Sequence, residues 1–309
     1  MKKGIHYWAL PTEMTLSEKF AFARNCGFDG VELAILKEGE FSECLSNSEL
    51  RNIRNMADAE GIALPSLTNT LSWTCSFSSE RKEIRDRAEL VLRREIEIAG
   101  EMGIAAVLAL PGFVSMGFNV NELHPATDTS DITSYHPSLE VIRYDRAYKR
   151  GVEAFRRIAD YAKSSGVTVC IENIWSNFLL SPLEMCRFID DIGSGYVRAY
   201  FDVGNVRPFG IPAHWIEILG ERIDRIHLKD YVDGEKVSLD RFTDLFEGDI
   251  DFRSVANAIS YIGFDGWMTA ELNVDTSDQE RVARKASTDM DAILEMIKEN
   301  KKQGGTRFG

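Results

Sequence analysis

The sequence predicts an α/β fold, a (β/α)8 TIM barrel that forms a single domain over residues 1–309. Eight short apolar segments with strand character, at about 4–10, 30–35, 63–69, 105–111, 168–173, 197–202, 223–230 and 266–272, alternate with segments of helical periodicity. The G-x-G-x-x-G turn of a dinucleotide-binding sheet does not occur. Eight βα units without that turn favour a closed parallel barrel over a doubly wound sheet.

The helices between the strands are recognised by their apolar periodicity and by the glycines that end them. Residues 49–61 (ELRNIRNMADAEG) and 86–103 (DRAELVLRREIEIAGEMG) repeat apolar side chains every three or four positions. A glycine followed by an apolar residue precedes five of the strands, as expected where a helix ends in a left-handed C-cap: Gly27, Gly61, Gly103, Gly166 and Gly263.

Two segments depart from the βα repeat. A long loop, from about 113 to 144, separates the fourth strand from its helix, and loops of this length commonly form a lid, a substrate wall or a mobile insertion. His124 and His136 lie in this loop and are expected to be surface residues, not metal ligands. The charged, glycine-rich tail from about residue 301 is expected to be frayed.

Composition excludes several classes of partner. A formal net charge of −13 and a pI near 5.0 argue against a nucleic-acid backbone or an anionic membrane surface as the main partner. No apolar stretch reaches the ~20 residues needed to cross a bilayer, and the first residues, MKKGIHYWAL, lack a signal-peptide cleavage pattern, so we expect a cytoplasmic protein. The five scattered cysteines form no C-x-x-C pair and are expected to be reduced and mostly buried.

Four polar residues end the last four predicted strands, one on each: Glu172, Asp202, His227 and Glu271. Apolar neighbours flank each of them, so side-chain alternation directs the polar residue into the barrel. Three carboxylates and an imidazole that converge there would repel and desolvate one another unless a cation held them. The sequence therefore predicts a divalent metal site, with Mn²⁺ as the expected ion and Mg²⁺, Co²⁺ or Zn²⁺ as alternatives.

Each of these residues, taken alone, has a structural alternative. Glu172 could be an exposed strand end, Asp202 could cap the following turn, and His227 could be a hydrogen-bonded core histidine. The metal interpretation is favoured because all four occupy adjacent strands at one rim. A cation there can polarise the carbonyl of an α-hydroxy ketone, while Glu172 and Glu271 exchange a proton with the neighbouring carbon as acid and base.

A resemblance to a known family follows from the motifs GFDGVEL, LPG, IENIWSNFLLSPLEM, YFDVGNV, RIHLKDY, FEGDIDF and GFDGWMTAEL. Together they resemble the xylose isomerase-like TIM-barrel superfamily of sugar and sugar-phosphate isomerases and epimerases, over nearly the whole chain, with the closest likeness to ketose 3-epimerases. The resemblance implies that Glu172, Asp202, His227 and Glu271 bind the metal and that the two glutamates exchange the proton at C3. It also implies a small-molecule sugar or sugar phosphate as substrate, and a homodimer or homotetramer.

At several positions predicted to contact the substrate, this sequence differs from the free-ketose epimerases. Asn205 and Phe178 stand where those enzymes are expected to carry a histidine and a glutamate that grip sugar hydroxyls. Lys229, in HLKD, is predicted to meet a substrate oxygen or phosphate, the alternative being a solvated lysine paired with Asp230.

Two residues of the first strands complete the predicted substrate site. Trp8 is predicted to form an apolar wall against the sugar, by analogy with barrels of this type. Glu32 is predicted as a substrate contact, the alternative being a buried polar group bonded to the backbone or to an arginine or histidine within the barrel.

Other functions compete on the same fold. An inosose dehydratase-like lyase or an aldose–ketose isomerase would use the same proton abstraction. An endonuclease IV-like nuclease is disfavoured because Asn205 replaces an expected histidine and the chain is acidic. An inactive sugar-binding barrel is disfavoured because all four ligands are retained.

Overall fold

The computed structural model describes residues 1–116, 140–272 and 278–302, which form a closed parallel barrel surrounded by helices. Its strands are β1 Lys2–His6, β2 Gly30–Ile35, β3 Leu67–Asn69, β4 Ala106–Ala109, β5 Thr168–Glu172, β6 Val197–Asp202, β7 Ile223–Leu228, β8 Asp230–Tyr231, β9 Phe242–Thr243 and β10 Trp267–Ala270. The barrel closes in the order β1–β10–β7–β6–β5–β4–β3–β2, while β8 and β9 pair as a small antiparallel sheet. The predicted fold class is confirmed.

The helices lie outside the barrel and connect its strands. They are α1 Leu16–Asn25, α2 Asn47–Ala59, α3 Lys82–Met102, α4 Tyr144–Ser165, α5 Pro182–Ile192, α6 Val203–Val206, α7 Pro212–Leu219, α8 Phe252–Tyr261 and α9 Gln279–Lys302. Helices α1 and α2 begin with capping boxes, in which Thr15 and Ser46 accept the N3 amide hydrogen. Helices α3 and α4 end at Gly103 and Gly166, whose φ angles of 65° and 67° match the predicted left-handed caps.

The core lies between the barrel and the helices, and a smaller apolar cluster fills the barrel interior. Outward strand residues such as Ile171, Phe201 and Ile226 are 0% exposed against the helix layer. Inside the barrel, Leu108, Cys170 and Tyr200 pack together. Because successive strand residues alternate between these two cores, a polar residue next to Ile171, Phe201 or Ile226 must point into the barrel.

Five predicted strands have a boundary that is wrong by two or more residues, and two of them, the fourth and the eighth, simply end two residues early, at Ala109 and Ala270. The first strand ends at His6, because its imidazole accepts the Trp8 amide hydrogen and starts a 3₁₀ turn over Tyr7–Ala9. The third begins only at Leu67, since Pro65 lacks the N–H that a ladder needs. The seventh ends at Leu228, and β8 of the small sheet begins after Lys229, at Asp230.

The predicted loop and tail are only partly described. Residues 113–116 and 140–143 are the described ends of the loop, and the Ile142 amide donates to the Val114 carbonyl at 2.8 Å. The rest of the loop, with His124 and His136, lies outside the described residues. Helix α9 continues to Lys302, so 301 and 302, where the frayed tail was predicted to start, are helical, and residues 303–309 lie outside the description.

Two further sequence predictions concern the cysteines and membrane segments. All five cysteines are free thiols, and three of them, Cys26, Cys75 and Cys170, are buried. Within residues 1–116, 140–272 and 278–302, no helix combines the length and apolarity required to cross a bilayer.

The start of β2 tests how tightly the barrel is packed. A Cβ atom at Gly30 would lie 2.8 Å from both the Ala63 carbonyl oxygen and the Trp267 ring. We expect Gly30→Ala to lower the free energy of unfolding, measured by urea titration, by about 1–3 kcal/mol. At Gly195 a Cβ atom would meet nothing within 4 Å, so Gly195→Ala is the matched control. Equal stability of the two variants would contradict this account of the packing.

Candidate metal and active site

The four predicted metal ligands gather at the carboxyl end of the barrel. Glu172 and Asp202 are the last residues of β5 and β6, His227 lies in β7, and Glu271 directly follows β10. The strand register aligns Asp202 with His227, which places their side chains next to each other. Glu172, Asp202 and His227 are at most 6% exposed. Glu271 retains 23% side-chain exposure and faces the opening.

The ligand atoms converge on one side of the His227 ring. Its Nδ1 lies 3.0 Å from Glu271 Oε2, 3.2 Å from Glu172 Oε1 and 3.8 Å from Asp202 Oδ2. One donor atom from each of the four residues lies within 4.8 Å of all the others. Three carboxylates and one imidazole nitrogen form a donor set suited to a hard or borderline divalent cation. These four residues therefore fit the predicted metal.

A second carboxylate, Glu32, lies behind the imidazole. Its Oε1 is 2.9 Å from His227 Nε2, and the residue is 0% exposed. Burial alone would raise the pKa of Glu32, but the charge of His227 and the hydrogen bonds from His227 and Ser66 outweigh burial and lower it to about 2. Because ionised Glu32 accepts a hydrogen bond from Nε2 of His227, Nδ1 is the nitrogen left to bind a metal once it has given up its proton.

Glu32 is held by three further side chains. Ser66 Oγ and Tyr200 Oη both donate short hydrogen bonds to Oε2, and His6 Nε2 lies 3.2 Å from Oε1. Burial lowers the pKa of His6 to about 4, so its ring is neutral, with Nδ1 accepting from the Trp8 amide and Nε2 donating to Glu32. His6, Glu32 and His227 thus form a hydrogen-bonded group. This position favours an orienting role for Glu32 over the predicted contact with a substrate.

Asp202 is held by hydrogen bonds to two asparagines, one after β5 and one after β6. The Asn173 side chain accepts the Asp202 amide hydrogen at 2.8 Å and donates to its carbonyl at 2.9 Å. The Asn205 amide donates to Asp202 Oδ1 at 2.7 Å, while its side chain donates to the Asn173 carbonyl at 3.1 Å. The other oxygen, Oδ2, lies 3.0 Å from Lys229 Nζ and 3.8 Å from His227 Nδ1, on the side where the four ligands converge. This oxygen is therefore the one that faces the predicted cation.

Lys229 joins the same group. Its Nζ lies 3.0 Å from both Asp202 Oδ2 and Glu271 Oε2, and its side chain is 12% exposed. Asp230 instead accepts the backbone amides of Tyr231, Gly248 and Ile250. The alternative of a solvated lysine paired with Asp230 is therefore wrong, because adjacent residues in an extended segment point to opposite sides.

Burial and mutual charge shift the pKa values of the site. Burial and the charges of Glu271 and Asp202 raise the pKa of Glu172 to about 7, against the opposing effect of His227. Burial also raises the pKa of Asp202. For Glu271 burial acts in the same direction, but the charges of Lys229 and His227 outweigh it and hold the pKa well below its usual value. Burial therefore outweighs the neighbouring cations at Glu172 and Asp202, whereas the cations outweigh burial at Glu271.

Trp8 lies at the mouth of the barrel in the 3₁₀ turn after β1. Its ring centroid is 5.0 Å from that of His6, and the residue is half-buried. This position is compatible with the predicted wall, although the strand that was expected to present Trp8 has already ended.

Sequence reasoning missed three residues of the site. Tyr200 lies two positions before Asp202 on the same strand face, so alternation could have identified it. Asn173 directly follows Glu172, but no sequence pattern indicates that its side chain forms hydrogen bonds with the backbone of Asp202 on the next strand. Ser66 lies in the irregular segment before β3 and reaches Glu32 only because the barrel closes.

Comparison with known proteins assigns the family. The chain belongs to the xylose isomerase-like TIM-barrel family, whose sequence model matches residues 20–298. It is 23% identical to a Haemophilus influenzae protein provisionally assigned as the L-ribulose-5-phosphate 3-epimerase SgbU, over 90% of this chain and 91% of that one. It is 28% identical to the D-psicose 3-epimerase of Agrobacterium fabrum, over 65% of this chain and 63% of that one.

A solved structure has the same fold. The structure of an L-ribulose 3-epimerase matches with a TM-score of 0.76 and 18% identity, over 100% of this chain and 99% of the other. The predicted family is thereby confirmed, and the relatives confirm the prediction of an enzyme of the isomerase class.

The role assigned to Glu32 can be tested by metal binding. Glu32→Gln removes the charge that holds the His227 ring and should weaken Mn²⁺ affinity about 10–100-fold, as expected for a residue that orients a metal ligand. Calorimetric titration of the metal-free protein measures this change. Glu95→Gln is the matched control, because Glu95 on α3 is also a 0% exposed carboxyl and is not one of the side chains that hold the His227 ring. Unchanged affinity in Glu32→Gln would contradict the orienting role.

Proposed function

We propose that this protein is a divalent-metal-dependent ketose epimerase that acts at C3 of a ketose or ketose phosphate. The observation that carries the proposal is the convergence of one imidazole nitrogen and three carboxylates within 4.8 Å at the open end of the barrel. The epimerases among the relatives support the same class of reaction. Mn²⁺ is the proposed ion, with Mg²⁺, Co²⁺ or Zn²⁺ as alternatives, because the donor set is rich in oxygen.

The ligands of the ion would be Glu172, Asp202, His227 and Glu271. When bound, a divalent ion supplies polarisation of the substrate carbonyl and stabilises the negative charge of an enediolate. Glu32 keeps the His227 ring in place, and Asn173 with Asn205 holds Asp202, so the protein supplies a pre-formed set of donors.

Proton transfer is assigned to the two glutamates. Glu172 ends β5 and Glu271 follows β10, and the barrel order places β6 and β7 between these strands. The two carboxylates therefore reach the site from different sides. One removes the proton from C3 and the other returns a proton to the opposite face of the carbon, with the roles exchanged in the reverse direction.

Three contacts with the sugar are part of the proposal. Trp8 would provide an apolar wall at the mouth. Asn205 and Lys229 would face the sugar from the ends of β6 and β7, although the described side chains of both already contact the groups around Asp202.

A screen of free and phosphorylated ketoses in D₂O with Mn²⁺-loaded protein tests the reaction. We expect one ketose to be converted into its C3 epimer with one deuterium incorporated at C3. Formation of an aldose would assign aldose–ketose isomerisation instead, and a dehydrated product would assign an inosose dehydratase-like lyase. Metal-loaded protein that converts no ketose or ketose phosphate would contradict the proposed epimerase.

The proton-transfer roles predict strong effects of amide substitution. Glu172→Gln and Glu271→Gln should each lower kcat about a thousandfold or more, because an amide cannot accept the proton and the ion cannot transfer it. Steady-state kinetics with the substrate found in the screen measures this loss. Glu95→Gln, which changes a buried carboxyl on α3 that is not a ligand, should retain activity. A variant that keeps wild-type kcat would remove its glutamate from the mechanism.

The two remaining ligands should affect the metal first. Asp202→Asn and His227→Ala are expected to lower the bound Mn²⁺ after dialysis, because each removes a donor from the group. Elemental analysis of the dialysed proteins measures the metal content. Full metal content in both variants would show that the ligand assignment is incorrect.

A further inference from the structure

The ammonium group of Lys229 contacts oxygens that the proposed cation would use. Its Nζ lies 3.0 Å from Asp202 Oδ2 and 3.0 Å from Glu271 Oε2. The same two oxygens face His227 Nδ1, at 3.8 Å and 3.0 Å. A cation bound by Nδ1 and these carboxylates must therefore share or take over two oxygens that Lys229 already holds.

The surroundings of Lys229 keep its side chain in this place. A Cβ atom at Gly204 would lie 2.7 Å from the Lys229 Cβ, so a glycine is needed for the close approach of β7 to the turn after β6. The Phe242 ring lies 5.0 Å from Nζ on another side. The neighbouring Asp230 is occupied by backbone amides. The long side chain is thus directed toward the carboxylates of the site.

The charges explain why a lysine is useful there. Glu172, Asp202 and Glu271 would together carry three negative charges in a largely buried space, and such a group is unstable without a compensating cation. Lys229 places one positive charge between two of them. A buried ammonium that contacts two carboxylates provides this compensation even before any metal arrives.

We propose that Lys229 is an internal cation that holds the carboxylates together in the metal-free protein and exchanges with the divalent ion for Asp202 Oδ2 and Glu271 Oε2. This inference rests on the metal site of the proposed function and adds that Lys229 sets the affinity of that site for the metal. Lys229 stabilises the empty site and lowers its affinity for metal, because the ammonium must leave these oxygens or be repelled by the ion. Lys229 is thereby a positioning residue for the carboxylates.

Metal affinity and thermal stability of Lys229→Met test the exchange. We expect the dissociation constant for Mn²⁺, measured by calorimetry, to fall about tenfold or more, since removal of a nearby unit charge relieves repulsion of the ion. The metal-free variant should unfold at a lower temperature than wild type, and Mn²⁺ should raise its unfolding temperature by more. Lys229→Gln, which is also neutral, should shift both quantities in the same direction.

Lys3→Met is the matched control. Lys3 is likewise a buried lysine, 7% exposed and 2.7 Å from Asp291, but it lies near the amino end of β1, away from the four ligands. Its loss should lower the unfolding temperature without changing the dissociation constant for Mn²⁺. An unchanged or weaker affinity in the Lys229 variants overturns the exchange. Failure of the wild-type protein itself to bind Mn²⁺ overturns the proposed metal site as well.

A measurement on the wild-type protein covers the case in which the Lys229 variants do not fold. Acetylation of the native protein, followed by mass spectrometry, reports the reactivity of each lysine. We expect Mn²⁺ to increase the acetylation rate of Lys229 severalfold, because the ion displaces its ammonium, and to leave Lys3 unchanged. An unchanged or slower rate at Lys229 overturns the proposal.

Discussion

Repulsion among three carboxylates is the constraint around which this site is built. Two like charges 4 Å apart repel by about 4 kcal/mol at an effective dielectric constant near 20. Glu172, Asp202 and Glu271 nevertheless have donor atoms within 4.8 Å of one another, and Asp202 is 0% exposed. The barrel can hold them because it brings positive or polar partners to the same point. In the described structure these partners are His227 and Lys229, and in the proposed metal-bound enzyme a divalent cation takes the place of the Lys229 ammonium.

The closed barrel provides a second layer behind the ligands. Glu32 on β2 reaches His227 across the interior, and Ser66 and Tyr200 donate to its other oxygen. This arrangement fixes which imidazole nitrogen faces the carboxylates. The neighbouring residues Ile171, Phe201 and Ile226 pack outward against the helices, and this apolar layer directs Glu172, Asp202 and His227 into the barrel. Ligand geometry is thus a consequence of strand register and of packing between barrel and helices.

Much of this was predictable from local sequence patterns, and the remainder depends on closure of the barrel. Alternation along single strands was sufficient to place Glu172, Asp202 and His227 inside the barrel, and glycine caps marked the ends of helices. A histidine inside the barrel was one of the predicted alternatives for the partner of Glu32, but His227 itself could not be identified, because β2 and β7 meet only across the interior. One alternative paired Lys229 with the adjacent Asp230. Side chains alternate along an extended segment, however, so these two residues point to opposite sides. The first strand was predicted too long because its apolar pattern continues past His6. That pattern does not reveal the hydrogen bond from the Trp8 amide to the His6 ring, which ends the strand.

The most direct test of the account is a crystal structure of the protein with Mn²⁺, with anomalous scattering used to locate the ion. The account predicts one strong anomalous peak at the open end of the barrel, bound by Glu172, Asp202, Glu271 and His227 Nδ1, with Glu32 still hydrogen-bonded to Nε2. A peak at another site, or four side chains that keep their positions without an ion at saturating Mn²⁺, would contradict it.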